Sequence, residues 1–279
     1  VDATVAMAVA GRLENSGQAC NGSKRILVMD DLYDEFVEKF SAAMGKIEPT
    51  DPTAEGAELG PLSSANATAT LKRQVQTALE QGAVAKVGGD APEGNFFAPT
   101  VLTQVTPDMD AYHEELFGPV AVVYKVASED EAIELANSSP FGLGSIVISQ
   151  DEEKALRVAD QLEVGMVFIN EVGGEAAELP FGGVKRSGFG RELGRFGIDL
   201  VGQRLKAAND HAGQLPFPDA QGRLAPAAGH RVQQHLVECH VQARALRRFV
   251  DKLPRIVFPT AAFHDSPSSA RSTAMATAS

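Results

Sequence analysis

Apolar and polar positions along residues 1–200 switch between helix-like and strand-like spacing. Met7, Val9, Ala10 and Leu13 fall at intervals that fit one face of a helix, and the alanine-rich stretch 3–16 favours that conformation despite Gly11. The apolar run from Arg25 to Met29 predicts a short buried strand. Phe36, Val37 and Phe40 then give residues 32–44 the pattern of a second helix. Pro49, Pro52 and Pro61 break the chain, because proline lacks a backbone donor and restricts the residue before it. Leu71, Val75, Ala78 and Leu79 predict a third helix over 65–80. Residues 83–87 read as a strand, Gly88-Gly89 and 92–95 as turns, and 96–102 as extended chain.

The clearest fold signal follows. Residues 120–126 are strand-like, 129–137 helical, 145–148 strand-like, 151–162 helical and 165–170 strand-like again. This alternation predicts an α/β protein whose mostly parallel sheet is flanked by helices. A glycine-rich segment runs from Pro180 to Glu192, and Arg191-Glu192-Leu193 is expected to open a helix. Beyond residue 203 no strand period persists, so the chain divides into a folded part, 1–200, and a flexible tail, 201–279. Within the tail, only a helix near 232–249 and the apolar run 256–258 stand out.

A chain of 279 residues can bury a sizeable core. Its net charge of -12 repels nucleic acid and anionic membrane, and no apolar run approaches a membrane span. Two cysteines more than ~200 residues apart define no disulfide framework, so reduced thiols and a cytoplasmic location are expected. Val1 is no initiator, and chain upstream of it is expected.

Cys20 lies where the first helix gives way to the small-residue bend Ser16-Gly17-Gln18-Ala19-Cys20-Asn21-Gly22. A thiol at such a junction can meet a substrate from outside the packed core, and a thiolate is a good nucleophile even when only partly formed. A bare cysteine is otherwise a small buried hydrophobe, but the polar, glycine-rich surroundings favour the chemical role.

Three blocks, in order and at a characteristic separation, are similar to the aldehyde dehydrogenase superfamily, and within it to succinate-semialdehyde dehydrogenases. They are Asn15 to Cys20, Glu114 to Val120 and Pro180 to Glu192. The resemblance covers the catalytic C-terminal part of that family. It implies that Cys20 attacks an aldehyde carbonyl, that the thiohemiacetal passes a hydride to NAD or NADP, and that the thioester is hydrolysed to a carboxylate. It further implies that Glu115 binds the nicotinamide ribose, that Phe117 lies beside that cofactor end, and that Phe181 lines the substrate pocket. It puts the oxyanion-binding asparagine, the general-base glutamate and the dinucleotide-binding domain before Val1. A small aldehyde and a homo-oligomeric parent are the implied partners.

The pattern also departs from its relatives. Many succinate-semialdehyde enzymes carry arginine six residues before the nucleophile; here Glu14 stands there, leaving Arg12 or an upstream arginine to meet a distal carboxylate. Lys185 and Arg186 on the glycine loop are expected to face solvent. After Leu200-Val201-Gly202-Gln203 the family's terminal strand is not recognisable, as a reading-frame change would explain. The bend 17–22 lacks the spacing of a dinucleotide fingerprint. His230, His235, Cys239 and His240 do not share a helix face, so no metal site is expected. Two rival readings remain open: an inactive partial enzyme serving as a structural or interaction fragment, and thiol-dependent acyl transfer without hydride transfer.

Overall fold

The computed structural model describes residues 1–90, 93–195, 197 and 274–278. Helix α1 (Asp2–Leu13) runs into a 3-10 turn (Glu14–Gly17). Strand β1 (Arg25–Met29) then leads directly into α2 (Asp30–Met44). Next come α3 (Ala65–Glu80), β2 (Val84–Val87), β3 (Thr100–Thr103), the short α4 (Asp110–His113), β4 (Val120–Val126) and α5 (Glu129–Asn137). The series continues with β5 (Phe141–Gly142), β6 (Gly144–Ser149), α6 (Glu152–Ala159), β7 (Met166–Ile169), β8 (Val184–Lys185) and β9 (Ala274–Ala278).

Among the described residues one sheet of seven strands runs in the order β2-β3-β4-β1-β9-β6-β7. The pairs β3/β4, β4/β1 and β6/β7 are parallel; β2 lies antiparallel to β3, and β9 lies antiparallel to both β1 and β6. In the β1/β4 ladder Arg25 faces Val122 and Leu27 faces Tyr124. Both faces of the sheet are buried, which explains the near-continuous apolar runs. Ile26 and Val28 point into one core with Val101, Ala121, Val123, Phe36 and Phe40, under α1 and α2. Leu27 points into the opposite core with Leu102, Val122, Leu71, Val75 and Ala155, under α3 and α6.

Helix boundaries follow local chemistry. Ser64, Ser128 and Asp151 each cap a helix by accepting a bond from the backbone N–H three residues on. Phe36 and Phe40 sit one turn apart on α2 and stack with centroids 5.3 Å apart.

The elements expected between residues 2 and 170 are present, with shifted ends. The helix expected at Arg191 is not opened there. Phe181 and Glu192 instead exchange backbone bonds of 2.7 and 2.8 Å in an isolated bridge, and the first helical residue is Gly194. Composition gave no sign of β9, whose alanine- and threonine-rich stretch pairs only because two neighbouring strands offer their edges. The candidate helix at 232–249, the run 256–258 and Cys239 lie outside the described residues. No helix among the described residues is long and apolar enough to cross a membrane.

Candidate active site

The bend between α1 and β1 is built from conformations that its sequence resists. Asn15 (φ 48°) and Ser16 (φ 57°) both occupy the left-handed region, which costs a side chain of ordinary chirality about 1–2 kcal/mol per residue. Gly17 follows at φ 73°, and a Cβ there would lie 2.1 Å from the Gly118 carbonyl oxygen. The backbone of the bend therefore presses on the loop that ends the Glu114 to Pro119 block, and only glycine permits the approach.

Side chains hold the bend in place. The Ser16 hydroxyl donates to the Gly60 carbonyl and accepts from the Gly60 N–H, both at 3.1 Å. The Gln18 side-chain oxygen accepts from the Ser63 N–H at 2.7 Å. Arg12, fully buried, donates to the Gly17 carbonyl at 2.6 Å, while its Nε and Nη1 have no partner among the described residues. That burial removes Arg12 as a receptor for a distal carboxylate. Desolvation pulls its pKa down to about 10, partly offset by the negative charge of Glu115.

Cys20 is exposed at the end of this bend, and its thiol is free. Lys24, four residues on and buried, turns back beneath it. Its Nζ donates to the carbonyls of Ala19 (3.0 Å), Cys20 (3.1 Å) and Gly22 (3.0 Å). The same ammonium pairs with Glu115 at 3.1 Å and sits 5.6 Å from the centroid of the Phe117 ring. Three hydrogens thus serve four oxygens. Burial depresses the Lys24 pKa to about 8; repulsion from Arg12 adds to this, and Glu115 and Cys20 oppose it.

The structure thereby brings together Cys20, Glu115 and Phe117, which sequence separates by about ninety-five residues. The Glu115 side chain is 36% exposed and the Phe117 residue 41%, so a carboxylate and a ring face stand side by side at the surface. Ribose hydroxyls can donate to the first and a flat heterocycle can lie against the second, so these residues fit the nicotinamide end of NAD or NADP. Glu114 is exposed beside them and takes no part.

A shallow opening lies on the Asn21 side of the bend, and Cys20 is not part of its lining. Glu14, Asn21, Ser145, Phe168, Val172 and Glu175 line it, and Asn21 donates to the Glu175 carboxylate. No basic side chain is part of that lining. Phe181 is half-buried in its bridge with Glu192 and does not contribute to the cleft wall. The basic residues of the glycine loop are engaged elsewhere. Lys185 pairs with Glu163 at 2.8 Å, Arg186 lies over Phe141, and Arg191 donates to the Gly183 and Gly190 carbonyls. No cluster of metal-binding side chains occurs among the described residues.

Sequence reasoning missed Lys24, Asn21 and Glu175. A lysine entering an apolar strand, immediately before Arg25 and Ile26, was the available signal for Lys24, since a charge there must be buried. Nothing local marks Glu175, which reaches Asn21 across 154 positions of sequence.

The sequence model of the Aldehyde dehydrogenase family matches residues 1–204. A succinate-semialdehyde dehydrogenase [NADP(+)] of Deinococcus radiodurans is 55% identical over 211 residues, which make up 75% of this chain and 44% of that protein. Its counterpart in Mycobacterium leprae is 48% identical, over 71% of this chain and 44% of that one. Among solved structures, succinic semialdehyde dehydrogenase from Streptococcus pyogenes in complex with NADP+ superposes with a TM-score of 0.68 at 43% identity, over 70% of this chain and 44% of that chain. Betaine aldehyde dehydrogenase from Staphylococcus aureus in complex with NAD+ gives 0.69 at 37% identity, over 71% and 41%. The chain thus spans less than half the length of the relatives it matches.

Proposed function

The chain belongs to the aldehyde dehydrogenase family, and from that premise we propose that it carries the nucleophile and the nicotinamide-end contacts of an NAD(P)-dependent aldehyde oxidation. The observation that carries this reading is the shared ammonium of Lys24, which joins the Cys20 backbone to Glu115 and Phe117.

In this reading the Cys20 sulfur bonds to the aldehyde carbon, the carbonyl π pair moves to oxygen, and that oxygen takes a proton, giving a thiohemiacetal. The Cys20 N–H donates to the developing oxyanion in this reading. Glu115 would accept hydrogen bonds from the ribose hydroxyls of such a cofactor, and Phe117 would shield its adjoining ring from water. Bound NAD or NADP supplies the acceptor for the hydride that leaves the thiohemiacetal carbon. Loss of that hydride, with the hydroxyl proton passing to solvent, leaves a thioester on Cys20. Water then cleaves the C–S bond, releasing a carboxylate and the thiol.

The names of the relatives put succinate semialdehyde forward as the substrate. The proposal is the reaction class, with a small aldehyde as substrate, a reduced cytoplasmic setting for the thiol, and a homo-oligomeric parent enzyme. The alternative is a partial enzyme that acts only as a structural or interaction fragment.

Aldehyde protection decides between them. The full 279-residue chain is incubated with propanal, alkylated with iodoacetamide, and Cys20 modification is read by peptide mass spectrometry, with NAD(P)H formation followed in parallel. Protection of Cys20, with any NAD(P)H formation abolished in Cys20→Ala, supports the oxidative reading. Unprotected Cys20 at saturating aldehyde refutes it.

A further inference from the structure

The same ammonium that links three parts of the site makes contacts too specific for a space-filling lysine. We propose that Lys24 is a positioning residue that fixes the backbone of the Cys20 loop relative to the Glu115 carboxylate, so that the nucleophile and the cofactor contact move as one unit. The proposal rests on the reading of Cys20 as nucleophile and Glu115 as ribose ligand, and deepens it.

Four observations converge. Lys24 collects the carbonyls of Ala19, Cys20 and Gly22, so the three peptide groups around the nucleophile are oriented by one point charge. Its side chain is 6% exposed, whereas that of Glu115 is 36% exposed, so the fixed partner of the pair is the lysine and the ligand-facing partner is the glutamate. Its ammonium also faces the Phe117 ring. The surrounding loops are also in close backbone approach, Gly17 against the Gly118 carbonyl, so the bend and the Glu115 segment are packed directly on each other.

A compact ammonium suits this role, and a guanidinium does not. The carbonyls of Ala19, Cys20 and Gly22 converge on a single atom, while the planar fork of arginine spreads its donors over two nitrogens and a third at Nε. Charge alone would be conserved by Lys24→Arg; the convergence would not.

The experiment is a double-mutant cycle read on Cys20 itself. Wild-type chain, Glu115→Gln, Lys24→Met, the double variant and Lys24→Arg are alkylated with iodoacetamide at fixed pH. Cys20 modification is timed by peptide mass spectrometry, with the chain's other cysteine, Cys239, as internal reference. The cycle isolates the pairwise coupling.

Glu115→Gln is expected to change the Cys20 rate at least threefold in the wild-type background and by less than 1.5-fold in the Lys24→Met background, with Lys24→Arg failing to restore the wild-type rate. Independent, multiplicative effects of the two substitutions overturn the proposal, as does full rescue by Lys24→Arg, which would leave charge as the whole explanation. If Lys24→Met does not fold, Glu115→Gln decides alone, because it alters a partly exposed side chain. An unchanged Cys20 rate in that variant overturns the proposal. Alkylation needs neither aldehyde nor cofactor, so a failed cycle condemns the role of Lys24, whereas failed aldehyde protection condemns the role of Cys20.

Discussion

Burying a lysine under the Cys20 loop has a cost that pH can reveal. Desolvation is the largest cause of the depressed Lys24 pKa, followed by repulsion from Arg12, and the folded chain loses that proton near pH 8. The unfolded chain keeps it to about the ordinary value of 10.5. Below pH 8 both states are protonated and the buried charge is a constant penalty. Between 8 and 10.5 the unfolded state binds the extra proton, so stability rises with pH across that window. At 1.36 kcal/mol per pH unit the full relief is about 3 kcal/mol. Lys24→Met abolishes it, since methionine has no proton to lose. Urea unfolding of both proteins from about pH 7 to about pH 10.5 supplies the test, because every other titrating group is common to the two chains. The wild-type chain should gain about 3 kcal/mol relative to the variant as pH rises. Parallel pH profiles, or a wild-type chain that loses ground, would refute the argument that Lys24 is a desolvated cation.

Other substitutions probe the scaffold. Gly17→Ala forces a methyl to within 2.1 Å of the Gly118 carbonyl at a φ of 73°, so a loss of about 3 kcal/mol or more is expected in urea melts. Phe36→Ala empties a site that is 2% exposed and stacked on Phe40, and should cost about 3–5 kcal/mol by the same measurement. Asn170, at φ 56°, closes two bonds with the Ser149 backbone, 2.9 and 2.8 Å. Asn170→Ala should lose about 2 kcal/mol, while Asn170→Gly, which recovers the backbone preference but not the bonds, should lose less.

How far the sequence reaches depends on the range of the interaction. Helices α1, α2, α3 and α5 and strands β1, β4 and β6 were legible because each is decided by spacing within its own segment, as Phe36, Val37 and Phe40 decide α2. The Cys20 bend was legible as a bend from its small residues. The way in which Arg12, Lys24 and Glu115 share one buried site was not legible, because their burial is set by chains that meet only after folding. Arg12 shows the difference well. In sequence it is one more cation near a nucleophile, available to a substrate; in the fold its guanidinium is enclosed and bound to the Gly17 carbonyl. On the glycine loop Lys185 and Arg186 are exposed as expected, but the pairing of Lys185 with Glu163 and the Asn137 carbonyl was not legible, because those partners come beside it only in the fold.

Local preferences are violated most densely where Cys20 is presented. Two consecutive residues of ordinary chirality adopt the left-handed conformation, a glycine backbone is driven against a carbonyl, and two cations lie buried close enough for Arg12 to depress Lys24. The depression of the Lys24 pKa to about 8 corresponds to a net penalty of about 3 kcal/mol on its charged form, and residues of relaxed geometry at 15 and 16 would avoid about 1–2 kcal/mol each. Stability alone does not account for such a bend. The Ser16–Gly60 pair, the Arg12–Gly17 bond and the Lys24 cradle each oppose relaxation of the same short segment. Strain held by several independent restraints marks a site where geometry is being conserved at the expense of stability. Relaxing any one restraint should therefore raise the stability of the bend's own backbone while loosening the placement of the thiol, and it is in Cys20 reactivity rather than in global unfolding that the loss should first be seen.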